Sequence, residues 1–202
     1  MNEWIEQYKQ YHRENTEYGN GGGLKFYLQH IIDLVQDTKS ETLLDYGCGK
    51  AEGYLEHNHH KNWGNIMPSL YDPAIPKYEV LPEGQFDGVI SFDVLEHIPK
   101  EQIPETFEII FSKAKKFVFL GIATAPAQTI LPNGDNAHCT VEPIGWWETM
   151  IERYAPKRVY THIKTAGHCN SYSILNEDLY MDFFLNNLQI KEKSLDNDEK
   201  IW

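Results

Sequence analysis

Apolar residues recur along the chain in blocks whose spacing predicts helices and strands in turn. Between residues 24 and 36, apolar side chains have the spacing of one face of a helix, and aromatic residues between positions 4 and 12 show the same spacing. Short apolar runs bounded by glycine, proline or acidic residues predict buried strands. In chain order the pattern predicts helices over 4–12 and 24–36, a strand over 42–46 with a short helix after it, strands over 66–71 and 88–92 with a helix to about residue 96, a helix over 104–114, a strand over 116–123, a helix over 143–154, and a hairpin of strands over 158–164 and 172–175.

This alternation of strands and helices favours a mostly parallel sheet that helices cover on both faces. We therefore predict an α/β fold of three layers, with a doubly wound sheet that ends in a C-terminal antiparallel hairpin. Residues 73–85 leave little room for a helix and a strand, so no strand is clearly predicted there. We expect a single domain, with N-terminal helices and a lid over 1–40, the core over 41–176, and a C-terminal helix and tail over 177–202.

The acidic composition limits the partners that we expect. A formal net charge of -12 argues against a wide surface that neutralises nucleic-acid phosphates, although a nucleotide-sized end is not excluded. The three cysteines form no C-x-x-C pair, and the polar N-terminus is unlike a signal peptide. No apolar run approaches the roughly 20 residues that a membrane span needs. We expect a cytoplasmic protein without a membrane partner, and the sequence leaves the oligomeric state open.

A glycine turn after the first predicted strand is the most informative functional signal. Residues 43–51 read LLDYGCGKA, an apolar strand that includes Asp45 and runs into a G-x-G turn. Glycine lets the backbone adopt unusual dihedral angles and approach a ligand closely. Asp72 ends the next predicted strand, where a carboxylate can accept hydrogen bonds from both hydroxyls of a ribose. Glu52 stands where a dinucleotide-binding G-x-G-x-x-G turn has its last glycine, which argues against a dinucleotide.

Four segments in a fixed order carry a resemblance to a known family. They are residues 43–51, 71–72, 86–91 and 93–97, and together they resemble the class I S-adenosylmethionine-dependent methyltransferases over roughly residues 18–175. The resemblance implies a Rossmann-like fold with strand order 3-2-1-4-5-7-6 and S-adenosylmethionine as cofactor. The cofactor-binding residues that we assign on this basis are Tyr18, Asp45, Tyr46, Gly47, Cys48, Gly49, Tyr71, Asp72, Pro73 and Phe92.

The glycine turn has specific roles in this resemblance. The backbone of residues 47–49 would line the methionine part of the cofactor, and Asp45 would accept hydrogen bonds from its amino group, directly or through water. Ala51 stands where the family usually has a third glycine, and we expect its methyl group to tighten the turn without abolishing binding. Tyr18 and Gly19 have two interpretations, a lid over the cofactor with glycines as its hinge or a plain flexible linker.

Acidic and imidazole side chains follow the strand over 88–92. On a helix, Asp93, Glu96 and His97 would share one face, and His138 lies in a loop predicted to overhang the same crevice. Carboxylate and imidazole groups suit Mg²⁺ or Mn²⁺, so these four residues are the candidate metal ligands. The pattern resembles the small-RNA 3′-terminal 2′-O-methyltransferases and, in part, the catechol O-methyltransferases of ubiquinone biosynthesis, with Asp93 in place of the first glutamate. In the alternative no metal binds, and the histidine packs or positions substrate while the glutamate holds a loop.

The expected reaction is methyl transfer to oxygen. A hydroxyl acceptor must lose its proton, and either a divalent ion or a general base, His97 or His138, would assist. Glu96 completes the candidate catalytic set. The sequence has no N-P-P-Y or D-P-P-Y run, which argues against methylation of base amines. We expect a small-molecule acceptor; the alternatives are a nucleic-acid terminus methylated at its 2′ oxygen, and a non-catalytic nucleoside-binding or S-adenosylmethionine-binding module of the same fold.

Overall fold

A computed structural model describes residues 3–155, 157–164 and 169–179. The helices are α1 (Glu3–Glu14), α2 (Leu24–Asp37), α3 (Glu52–Leu55), α4 (Ile103–Lys113) and α5 (Ile144–Tyr154). The strands are β1 (Leu43–Tyr46), β2 (Ser69–Tyr71), β3 (Phe86–Phe92), β4 (Ala114–Ala123), β5 (Arg158–Lys164) and β6 (Cys169–Asn176). Short 3₁₀ helices cover His59–Trp63, Leu95–His97 and Lys100–Gln102.

The strands form one six-stranded sheet in the order β2-β1-β3-β4-β6-β5. The first four strands in this order are parallel, and β6 runs antiparallel to both β4 and β5. This arrangement confirms the predicted α/β class and its C-terminal hairpin. The chain leaves β1 toward β2 and returns on the other side of β1 as β3, so the order reverses there. In doubly wound sheets, ligands bind outside the carboxyl ends of the strands at such a point.

Helices bury both faces of the sheet. Alternate residues of a strand point to opposite faces, so Val118 of β4 packs in a cluster that includes Trp147 of α5, while Phe119 packs in a cluster with Ile31 of α2. All four of these side chains are fully buried. A third, smaller cluster includes Tyr8 of α1, and Trp4 packs against both this cluster and the one that contains Val118.

The structure answers one question that the sequence left open and corrects one prediction. Residues 72–85 contain turns but neither a helix nor a strand, so within the described part of the chain the sheet lacks the strand that the family order places beyond β2. The α-helix predicted to run through Glu96 is wrong, because the chain forms a 3₁₀ helix at Leu95–His97. Asp93 precedes it in a left-handed conformation, with φ of 53°, and therefore does not share a helical face with Glu96 and His97.

The C-terminal prediction is only partly covered. Residues 177–179 are helical, and residues 180–202, which hold most of the predicted C-terminal helix and tail, lie outside the described residues. Among the residues that are described, no helix has both the length and the apolar composition needed to cross a bilayer.

Candidate active site

A cavity of about 580 Å³ lies at the carboxyl ends of β1, β2 and β3. Nine of the ten assigned cofactor-binding residues line it, and these are Tyr18, Tyr46, Gly47, Cys48, Gly49, Tyr71, Asp72, Pro73 and Phe92. The candidate ligands Asp93, His97 and His138 line the same cavity. Asp45 and Glu96 are not among its lining residues, and both side chains are buried. The sheet thus gathers residues from distant parts of the sequence around one space.

The turn after β1 needs glycine at two positions. Gly47 and Gly49 both have positive φ, 93° and 54°, which residues with a side chain rarely adopt. A Cβ on Gly47 would stand 2.2 Å from a methyl carbon of Val94, and one on Gly49 would stand 2.2 Å from the carbonyl oxygen of Gly19. The N–H groups of Gly47 and Cys48 donate to the carbonyl of Tyr71, at 2.7 and 3.0 Å, which ties the turn to β2.

Asp72 faces this turn from the end of β2. Its carboxylate accepts hydrogen bonds from the N–H groups of Gly49, at 2.9 Å, and Ala74, at 2.8 Å. Burial raises the pKa of Asp72, although these N–H groups favour the ionised form. Each carboxylate oxygen can accept more than one hydrogen bond, so Asp72 retains acceptor capacity toward the cavity.

Asp45 lies within the core of the sheet. The hydroxyl of Tyr54 donates to its Oδ2 at 2.6 Å, while Oδ1 is buried without a hydrogen-bond partner. Burial raises the pKa of Asp45 to about 7, against the lowering effect of Tyr54. The carboxyl therefore carries an unsatisfied acceptor atom close in sequence to the glycine turn.

The segment predicted as a lid or a linker packs closely against the glycine turn. The N–H of Lys50 donates to the carbonyl of Gly19 at 2.7 Å, and the lysine Nζ donates to the carbonyl of Asn15 at 3.0 Å. The ring of Tyr18 contacts Tyr11 edge-on, with centroids 4.7 Å apart. These contacts favour the interpretation as a lid, which stays a prediction.

Three of the four candidate metal ligands come together. Glu96, His97 and His138 each offer one ligand-capable atom, and these atoms lie within 4.8 Å of one another. The two imidazole rings meet edge-on, with centroids 4.7 Å apart. Asp93 is not part of this group; its carboxylate oxygen lies against Gly23, just before α2.

Backbone carbonyls orient both imidazole rings. Nδ1 of His97 lies 2.9 Å from the carbonyl oxygen of Ala137, and Nδ1 of His138 lies 2.6 Å from that of Ala125. Since a carbonyl can only accept, we assign the ring proton of each histidine to Nδ1, which leaves Nε2 bare for a ligand. Burial, followed by the proximity of His138, lowers the pKa of His97 to about 3, so the ring is neutral at physiological pH.

Glu96 lies fully buried at the same place. Its Oε1 accepts the N–H of Ala123 at 2.8 Å, and its Oε2 is buried without a hydrogen-bond partner. Burial, and then the neighbouring Asp93, raise the pKa of Glu96 to about 8. An unpartnered carboxylate oxygen beside two imidazoles whose Nε2 atoms are free has the donor set of a divalent metal site.

Sequence reasoning missed one wall of the cavity. Trp4, Tyr8 and His12 stand four residues apart on α1, and all three line the cavity. The aromatic spacing was sufficient to predict the helix, but the sequence carries no signal for the surface on which that helix docks. Cys169 of β6 also lines the cavity, and no sequence signal indicated it.

Solved structures resemble this chain in fold. An O-methyltransferase family protein from Burkholderia thailandensis aligns over 78% of this chain and 58% of its own, with a TM-score of 0.55 and 12% identity. Human N-acetylserotonin methyltransferase in complex with S-adenosylmethionine aligns over 74% of this chain and 51% of its own, with a TM-score of 0.53 and 9% identity. DhpI in complex with S-adenosylhomocysteine aligns over 85% of this chain and 96% of its own, with a TM-score of 0.51 and 14% identity.

The similarity to these proteins is one of structure and not of sequence. No family model matches the chain, and no curated protein matches its sequence. The chain spans little more than half of the first two proteins, and identities this low relate folds rather than activities. The described residues therefore have the Rossmann-like fold of the class I methyltransferases, with the candidate site at the carboxyl ends of its strands.

Proposed function

We propose that this chain is an S-adenosylmethionine-dependent methyltransferase that methylates a hydroxyl group of a small molecule, with a divalent ion held by Glu96, His97 and His138. The observation that carries the proposal is that one cavity of about 580 Å³ opens onto both the glycine turn with Asp72 and the imidazoles of His97 and His138. A cofactor held at the first end and an acceptor held at the second would share one cavity, as direct transfer requires.

The residues at the first end fit the cofactor. Asp72 retains acceptor capacity for the two ribose hydroxyls, and Gly47 and Gly49 have no side chains that would keep the methionine part away from the turn. The residues at the second end fit a divalent ion, since the buried Oε2 of Glu96 has no partner. S-adenosylmethionine supplies a methyl group on a positively charged sulfur, and a divalent ion supplies positive charge that lowers the pKa of a hydroxyl.

The protein groups then have distinct roles. Asp72 and the glycine turn hold the cofactor, while α1 and the Tyr18–Gly23 segment cover the cavity and exclude water. His97 suits a ligand better than a general base, because a pKa of about 3 makes it a poor proton acceptor near neutral pH. Without a bound metal, His138 is the better candidate to take the hydroxyl proton, because it lines the cavity and the pKa of His97 is too low.

Calorimetry with S-adenosylmethionine and S-adenosylhomocysteine tests the cofactor part of the proposal. Asp72→Asn preserves the shape of the side chain but replaces one acceptor oxygen with a donor, so we expect binding to weaken at least about tenfold. Asp87→Asn is the matched control, because Asp87 also accepts backbone N–H groups, such as that of Glu41, but lies at the opposite end of β3. Full affinity in Asp72→Asn, or no binding by the unaltered protein, would contradict the proposal.

Turnover experiments separate the remaining alternatives. A methyltransferase converts S-adenosylmethionine to S-adenosylhomocysteine when a pool of small hydroxyl compounds is supplied, whereas a non-catalytic binding module does not. EDTA should abolish this turnover, and Mg²⁺ or Mn²⁺ should restore it. Unchanged turnover in EDTA would contradict the metal part of the proposal. The net charge of -12 favours a small acceptor, and RNA binding that weakens steeply with salt would instead favour a nucleic-acid terminus.

A further inference from the structure

We infer that Tyr8 of α1 is a positioning residue for His97, and that it makes metal binding at the Glu96, His97 and His138 site depend on the docking of α1. This inference rests on the proposed metal site. Tyr8 is 5% exposed and is the buried residue of α1. The helix is thus anchored at the position that contacts the candidate metal ligand.

A shared backbone carbonyl connects the two side chains. The hydroxyl of Tyr8 donates a short hydrogen bond to the carbonyl oxygen of Ala137, which also accepts the Nδ1–H of His97 at 2.9 Å. The phenol oxygen itself lies 3.3 Å from Nδ1, and the two rings meet edge-on with centroids 5.6 Å apart. Tyr8 therefore contacts His97 through its ring, through its oxygen and through the carbonyl that both side chains share.

These contacts determine which nitrogen of His97 can bind a metal. A neutral imidazole carries one N–H, and two acceptor oxygens at Nδ1 place it there. Nε2 is then the free nitrogen, and the ring is held in one orientation. Groups that hydrogen-bond to a metal-binding histidine without touching the metal raise metal affinity by roughly 10-fold to 100-fold in proteins.

Contacts besides those of Tyr8 also dock α1. The indole of Trp4 donates to Oε1 of Gln102 at 3.0 Å, and Lys50 holds the chain after the helix through the carbonyl of Asn15. Coupling between two binding events is reciprocal. If a docked α1 strengthens metal binding at His97, a bound metal must strengthen the docking of α1 by the same factor.

Cobalt titration of the protein tests the first half of the inference. Tyr8→Phe keeps the ring and removes only the hydroxyl, so we expect Co²⁺ affinity to fall about tenfold and the visible absorption of the bound ion to change. Tyr11→Phe is the control, because Tyr11 is on the same helix and contacts Tyr18, and it is not among the cavity-lining residues. It should bind Co²⁺ like the unaltered protein.

Amide hydrogen exchange tests the second half. Co²⁺ should slow exchange throughout α1 in the unaltered protein and in Tyr11→Phe, and much less in Tyr8→Phe. His97→Ala shows whether the site itself is assigned correctly, since it should bind no Co²⁺. The inference would be overturned if Tyr8→Phe and the unaltered protein had equal Co²⁺ affinity and equal protection of α1. If His97→Ala lost Co²⁺ binding in the same experiment, the metal site would still stand. If the unaltered protein binds no Co²⁺, both the inference and the proposed metal site are overturned. The proposed cofactor binding is tested separately, by calorimetry, and can stand without them.

Discussion

Replacing Asp45 with asparagine measures how much stability the protein loses by burying an acidic group beside the glycine turn. Asp45 is 1% exposed, and burial raises its pKa from 3.8 to about 7. Between these two pH values the folded chain binds more protons than the unfolded chain, so the free energy of unfolding falls as pH rises. Within this window, each pH unit lowers the free energy of unfolding by about 1.4 kcal/mol.

The expected effect follows from this window. From pH 5 to pH 7 the unaltered protein should lose about 2 to 3 kcal/mol of stability through Asp45 alone, and little more above pH 7. Asp45→Asn does not titrate, so its stability relative to the unaltered protein should rise by that amount. The new amide N–H₂ group adds a constant cost of about 1 to 3 kcal/mol if it finds no acceptor, which shifts the whole curve without changing its slope.

Urea unfolding at several pH values between 5 and 8 measures this difference. Asp87→Asn is again the control, because the pKa of Asp87 is lowered: its partial burial would raise it, but the N–H of Glu41 and the amine of Lys116 outweigh that effect. The stabilising contribution of Asp87 is lost only as pH falls below about 4. The stability of Asp87→Asn should therefore differ from that of the unaltered protein by a constant amount from pH 5 to pH 8. Parallel curves for Asp45→Asn and the unaltered protein over this range would refute the reasoning.

Further predictions concern the glycine turn and the metal site. Gly64→Ala, at φ of 93° in open space, should cost about 1 to 2 kcal/mol of dihedral strain in thermal unfolding, whereas Gly49→Ala should cost clearly more because its Cβ would stand 2.2 Å from a carbonyl oxygen. His97→Ala and His138→Ala should each abolish Mn²⁺ binding in calorimetry while leaving the affinity for S-adenosylhomocysteine nearly unchanged. Mn²⁺ affinity should rise up to about tenfold per pH unit below pH 8 and level off above it, because the ion must displace a proton from Glu96, whose pKa is about 8; Glu96→Gln should remove this dependence.

The sequence predicts the sheet well because its strands carry simple signals. The runs around Leu44, Val89 and Val118 are buried on both faces of the sheet, so each reads as a nearly continuous apolar segment. The site follows from the same logic, since Gly47 and Asp72 come directly after parallel strands whose carboxyl ends meet at one edge. Local patterns are informative where the local chain and the fold impose the same requirement.

The departures occur where tertiary contacts override local preference. Asp93 and Ala51 adopt left-handed conformations, with φ of 53° and 60°, that no pattern of apolar residues encodes. The turn at Asp93 replaces the expected α-helix, so the predicted helical face of acidic ligands does not form, yet Glu96 and His97 still meet His138. Their convergence depends on the loop after β4, whose position is set by contacts such as that between Ala137 and Tyr8.

The short segment between Asp72 and β3 explains why α1 takes part in the site. Without a strand beyond β2, the described chain has an edge there, and residues 73–85 form turns on which α1 packs. Tyr8 shares a cluster with Ala74, and the amine of Lys9 lies 3.6 Å from the carboxylate of Glu79. One helix thus contacts both the segment after Asp72 and the loop that carries His138.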